Sequence, residues 1–190
     1  FWVEPMIYGK GLGYFSTAEF IAHWVMTCII WGAIAAGLIR VSKRRYGFDI
    51  FSSRERMGRW NRMIAAILLG VSIVISLLSW QGIKVIKEFV YNGWLKFIFQ
   101  YIYYAFETVL VLLIIIFGQK AGELWSHRTR VPWGGIFVGL TWGLAHVLTQ
   151  GDLLTGIVSC IGGILYGVAY LCVNRNVYVA YPLLFLMFAL

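Results

Sequence analysis

Two side chains join acid–base chemistry to an apolar setting, Glu107 and His146. Glu107 lies in Phe106-Glu107-Thr108 and is read as the one carboxylate deep in an apolar run. A charge at the centre of a bilayer costs about 2.5–3.5 kcal/mol on insertion scales. Such a carboxyl is therefore neutral, or is paired with a cation or a hydrogen-bond donor. His146 closes the stretch Trp142-Gly143-Leu144-Ala145-His146. A neutral imidazole there serves as a metal ligand, a general base or an interhelical hydrogen-bonding group. Helical spacing sets Trp142, His146, Thr149 and Gln150 on one face, a candidate binding surface. Glu107 and His146 fall at similar depth in their helices. They are expected to meet, either as a catalytic pair or as satisfied polar contacts between helices.

Other candidates have plainer readings. Glu19 and His23 are four apart, a metal-compatible spacing, and read best as a hydrogen-bonded interfacial pair. Glu123 and His127 share that spacing in a basic segment and read as solvated charge. Asp152 directly precedes an apolar run and reads as a helix cap. Cys28, Cys160 and Cys172 form no CxxC pair and read as buried apolar thiols. No nucleophile elbow, phosphate-binding glycine loop, zinc-finger spacing or HExxH occurs, so neither a metal nor a cofactor is expected.

The elements that must position these groups are visible as six apolar runs: 17–39, 63–80, 97–118, 131–149, 153–173 and 177–190. A bilayer core about 30 Å thick needs roughly 20 apolar residues in a helix. The backbone must satisfy its own hydrogen bonds in lipid, so such runs are helices. Hydrophobic residues make up 61% of the chain and charged residues 13%. Soluble domains carry about 25% charged residues, so composition excludes that class. The expectation is one all-α domain over 1–190, a polytopic transmembrane bundle of about six spanning helices. Short interfacial helices are expected over 46–62 and 82–96. The chain starts at Phe1 and ends in an apolar run, so it is read as part of a longer protein, with no signal peptide visible.

Local signals refine this picture. Ser16 ahead of Glu19 has capping-box spacing. Gly135, Gly139 and Gly143 on the fourth helix, with Gly163 and Gly167 on the fifth, make flat strips that predict close packing. The net charge of +8 comes from residues between helices, not from a soluble face, so nucleic acid is not a partner. Arg40 to Arg62 is the most basic stretch, and the positive-inside rule makes loops 40–62, 119–130 and 174–176 cytoplasmic. The basic loop is also suited to anionic headgroups.

The stretch Pro132–Tyr170 resembles the CPBP family, the CAAX-protease and bacteriocin-processing (Abi) proteins. Members carry an EExxxR motif, then F/WxxxH, a glycine-rich helix and HxxxN/D. Trp142-xxx-His146 matches the second motif, and Gly162, Gly163 and Gly167 match the glycine-rich helix. The resemblance covers about residues 100–190. It departs where EExxxR should stand, at Leu113, Ile114 and Gly118, so that Glu107 takes that role only with a slipped register. It departs again at Tyr181-Pro182-Leu183-Leu184-Phe185, where HxxxN/D should stand; Tyr181 is kept as a binding candidate. In the family the glutamates and histidines are thought to activate water for peptide hydrolysis. The resemblance thus implies a degenerate member in the bacterial plasma membrane. Its expected role is a non-catalytic scaffold, regulator or immunity-type protein, in contact with lipid and with a membrane protein or peptide. The alternatives are an atypical intramembrane protease using Glu107 and His146, and a small transporter or subunit of a membrane complex.

Overall fold

The computed structural model describes Gly9 and residues 14–190, except for the side chains of Thr149 and Gln150. All regular structure among these residues is helical. Helix α1 is Thr17–Tyr46, α2 is Arg59–Ser79 and α3 is Lys84–Ser126. Helix α4 runs through Trp133–Val138, a π-helical turn at Gly139–Gly143 and Leu144–Gln150. Helix α5 is Leu153–Cys172 and α6 is Val177–Ala189. Four of them, α1, α2, α3 and α5, are long and apolar enough to cross a membrane; α4 and α6 are shorter apolar helices. The protein is an all-α bundle of the transmembrane type.

Each helix starts and stops for a local reason. Ser16 Oγ accepts from the Glu19 amide at 3.4 Å, and the Glu19 carboxylate accepts from the Ser16 amide at 2.6 Å. This is the expected capping box, which satisfies two donors at the start of α1. At the other end Gly47 takes the left-handed conformation, φ 62°, after a last turn holding Lys43, Arg44 and Arg45. Those cations favour the negative end of the helix dipole. In α3, Gly93 (φ 68°, ψ 170°) breaks the helix and separates an arm, 84–92, from the long segment that follows. That arm is the short helix expected within 82–96.

The other expected interfacial helix is absent: residues 47–58 are irregular. Long-range bonds override the local pattern. Ser53 donates to the Asn174 carbonyl at 2.8 Å, and the Asn174 and Asn176 amides donate to the carbonyls of Arg56 and Glu55. Ile50 is buried beneath the segment. Loop backbone that hydrogen-bonds to another turn is not free to bond to itself.

The core lies along the middle of α3, where Ile115 and Ile116 are fully enclosed, with Ala169, Val173, Ala180 and Leu184 around them. Glycines let the helices close on it. A Cβ on Gly163 would stand 2.7 Å from the Gly139 amide nitrogen, and one on Gly143 would stand 2.6 Å from Cys160 Cα. The small-residue strips of α4 and α5 therefore touch backbone to backbone, as their spacing predicts. On the α3 side, a Cβ on Gly134 would lie 2.1 Å from the Ile115 carbonyl oxygen. Outward faces are apolar, for example Met26, Ile29 and Ile30 on α1 and Ile67, Val74 and Leu78 on α2.

The bundle has two unlike ends. At one end the irregular segment 47–58 and the basic segment 119–130 meet the α5–α6 turn, where Arg175 reaches Glu123 and the Thr129 carbonyl. At the other end the α2–α3 link, the α4–α5 link and the end of α6 gather. There Ser76 donates to the Leu190 carbonyl at 3.0 Å and Lys84 to the Phe188 carbonyl at 2.7 Å.

Candidate functional site

The second end encloses a cavity of about 490 Å³ with walls from α2, α3, α4, α5 and α6. Glu107 enters from α3, Trp142 and His146 from α4. The meeting expected from their depths is thus a shared cavity. Both partners also adjoin one residue. The Trp142 side chain lies beside the buried Glu107 carboxylate. The Trp142 carbonyl lies 2.8 Å from His146 Nδ1. An oxygen there accepts only, so Nδ1 carries the hydrogen and Nε2 keeps its lone pair. Among the described residues nothing bonds to Nε2. The half-buried imidazole thus offers the cavity an acceptor.

Trp142 itself is held from two directions. It sits in the π-helical turn, a distortion often found where a helix carries function. From α1, the Trp31 ring meets it edge-on at 6.2 Å, and Trp31 in turn leans on Tyr103 at 4.8 Å. Aromatic pairs at these separations are favourable in such tilted or edge-on arrangements.

Two parts of the site were not singled out from sequence. Ser72, Ser76 and Ser79 line the α2 wall. Their i, i+4, i+7 spacing inside an apolar run was the signal that would have found them. Lys84 also lines the cavity and is buried, with its ammonium 4.9 Å from the ring centres of Tyr104 and Phe188. In sequence it sits in a charged stretch and reads as interfacial.

Glu107 is not alone as a buried carboxylate. Glu88, on the α3 arm, is more deeply buried. It accepts from the Tyr104 hydroxyl at 2.6 Å, and from the Tyr101 hydroxyl and Gln100 amide at 3.1 Å each. The break at Gly93 folds the arm back onto residues 100–104, a contact no local window reveals.

The remaining candidates separate, except that Asp152 also lines the cavity. Tyr181 does not line the cavity; its hydroxyl donates to the Ala105 carbonyl at 3.2 Å. The side chains of Thr149 and Gln150 lie outside the described residues. Glu123 is not a solvated charge. It lies in the last turns of α3, accepts from Arg175 at 2.6 Å and from Gln119 at 2.7 Å, and is largely covered. His127 instead ends α3 in a left-handed conformation, φ 55°. Glu19 serves the capping box, and His23 is buried. Cys28 is buried, Cys160 and Cys172 are half-buried, and all three are free. Asp152 caps α5 as expected, accepting from the Thr155 amide at 2.8 Å. The Thr155 hydroxyl, followed by the two backbone amides, holds the Asp152 carboxyl below the ordinary range.

Among the described residues no three of His, Cys, Asp and Glu come together as a metal-ligand set. Compared with protein-family models, curated proteins and solved structures, the chain matches none.

Proposed function

We propose that this chain is a CPBP-like membrane hydrolase that cleaves a peptide bond within the cavity. Glu107 is the base and His146 orients the water. The carrying observation is that both groups face one cavity and adjoin the same residue, Trp142, whose carbonyl lies 2.8 Å from His146 Nδ1. A water between them donates one hydrogen to the Glu107 carboxylate and the other to His146 Nε2. As its oxygen attacks the substrate carbonyl carbon, the first proton passes to Glu107. The carbon–nitrogen bond then breaks, and Glu107 returns that proton to the leaving amine. One group acts as base and then as acid, so its charge is restored after each turn. The Trp142 side chain keeps the carboxylate aimed at the cavity. With the basic loops on the cytoplasmic side, as the positive-inside rule favours, the cavity would open in the outer half of the membrane.

The test uses purified chain in nanodiscs with fluorogenic membrane-anchored peptides. Cleavage by the wild type should fall about 10²–10⁴-fold in Glu107→Gln and His146→Ala, the usual range for a positioned acid–base group. Cleavage equal in wild type and variants, or absent from all three, overturns the proposal.

A non-catalytic scaffold or immunity-type role is favoured by one observation: Tyr181, at the place of the family's last histidine, spends its hydroxyl on Ala105. On that reading a membrane partner co-purifies equally well with wild type and with both variants.

A further inference from the structure

We propose that the cavity holds an anion-binding subsite at Lys84 for the head of a single-chain anionic amphiphile, a carboxylate or phosphate on an alkyl chain. An ammonium has three donors. Lys84 places one on the Phe188 carbonyl and rests over the rings of Tyr104, Phe188 and Trp80. It makes no ion pair among the described residues, although Glu88 and Glu107 both attract it. Glu88 is committed to Tyr101, Tyr104 and Gln100, and Glu107 lies beside the Trp142 side chain without an ion pair to Lys84 among the described residues. A buried cation is costly unless paired, so Lys84 is a charge awaiting a partner in a cavity wall.

Neutral donors line the same cavity. Ser72 and Ser79 share the cavity face of α2 with Ser76, yet only Ser76 makes a hydrogen bond among the described residues. Serine in a membrane helix normally bonds to a neighbouring helix. Two hydroxyls left open in the same cavity as a buried ammonium suit an oxyanion. Helix α3 also begins at Lys84 without a side-chain cap, so its positive end adds to the field.

Much of the wall is apolar, including Ile75, Val158, Leu165 and Met187. It also carries Glu107, Thr108, His146, Asp152, Thr155 and Ser159. The volume of about 490 Å³ lies within the roughly 300–1,000 Å³ of small-molecule sites, which combine apolar walls with few polar anchors. The outward face of α2 is apolar, with Leu78 and Val74 exposed, so an occupant drawn from lipid matches these surroundings. The inference stands apart from hydrolysis, because binding is measured without turnover.

The full chain, in phosphatidylcholine nanodiscs, is titrated with hexadecanoate, hexadecyl phosphate and hexadecanol, and bound probe is counted by native mass spectrometry. Both anions should bind at least about tenfold more tightly than the alcohol, the worth of one charged hydrogen bond. Lys84→Gln should remove the difference and Lys84→Arg should keep it. The Ser72→Ala/Ser79→Ala double variant should reduce it, and stands in if Lys84→Gln does not fold. Equal binding of alcohol and anions overturns the proposal. So does unchanged discrimination in the lysine and serine variants. Displacement of hexadecanoate by millimolar inorganic phosphate assigns the subsite to a free oxyanion and overturns the amphiphile.

Discussion

The two ends of the bundle use the same kinds of residues for opposite purposes. At the basic end a carboxylate, a cation and an amide close on one another. Arg175 and Gln119 both donate to Glu123 Oε1, at 2.6 and 2.7 Å. Gln119 then bridges to the Val131 carbonyl and accepts from the Gly134 amide. This clasp even holds Arg175 at φ 57°, a conformation that side chains beyond Gly and Asn seldom adopt. At the cavity end, Glu107, His146 and Lys84 stand apart around a space, with donors and acceptors to spare. The clasp satisfies itself except at Arg175 Nε, which is buried without a partner among the described residues. A polar cluster closed on itself in this way stabilises the fold; one that leaves valences facing a cavity can act on a ligand.

The comparison breaks most sharply at Glu107 and His146. Either substitution should remove about 3–5 kcal/mol of transition-state stabilisation, the equivalent of 10²–10⁴ in rate. Thermal unfolding in detergent should stay close to wild type, because the cavity gives these side chains room. A large loss of stability with activity kept would make them structural, like the basic clasp.

Next in size is Gly134→Val at the packed end. A Cβ there meets the Ile115 carbonyl at 2.1 Å, and backbone cannot swing aside. Overpacking of this kind costs about 3 kcal/mol. The protein should aggregate or unfold at clearly lower temperature on size-exclusion thermal scans. Gly162, with open space around its missing Cβ, should accept alanine without loss.

Glu123→Ala should cost about 2 kcal/mol, the value of hydrogen bonds to a charged group. It strands Arg175 and Gln119 but should leave binding of probes at the far cavity unchanged. A matching loss of probe binding would show that the two ends are coupled.

The smallest effect is expected at Asp152. Its folded carboxyl is held below the usual value by Thr155, so its stabilisation is present above the unfolded value, near pH 4. It is lost as pH falls through the lower folded value. Asp152→Asn keeps a cap and should flatten that acid-side slope in unfolding scans; Asp152→Ala should remove both cap and slope.

Much of the architecture was legible along the chain. The apolar runs located the helices, and Ser16, Asp152 and the glycine strips located ends and contacts, because each depends on residues a few positions apart. The clasp was not legible, since Glu123 and Arg175 are 52 residues apart. Lys84 and Glu88 were hidden as well: in sequence they look like solvated charge, and only the turn at Gly93 buries them against Tyr101 and Tyr104.

By itself, then, the amino-acid order determined that this is a helical protein for an apolar solvent, where its helices run, and that Glu107 and His146 are its unusual groups. Only the tertiary structure decided that those two face one cavity beside Trp142, that Lys84 and a serine row join them, and that Glu123 serves the clasp. Apolar periodicity and caps act within a few residues and can be read in order. Whether a buried charge is satisfied or left open depends on side chains that folding brings from distant helices.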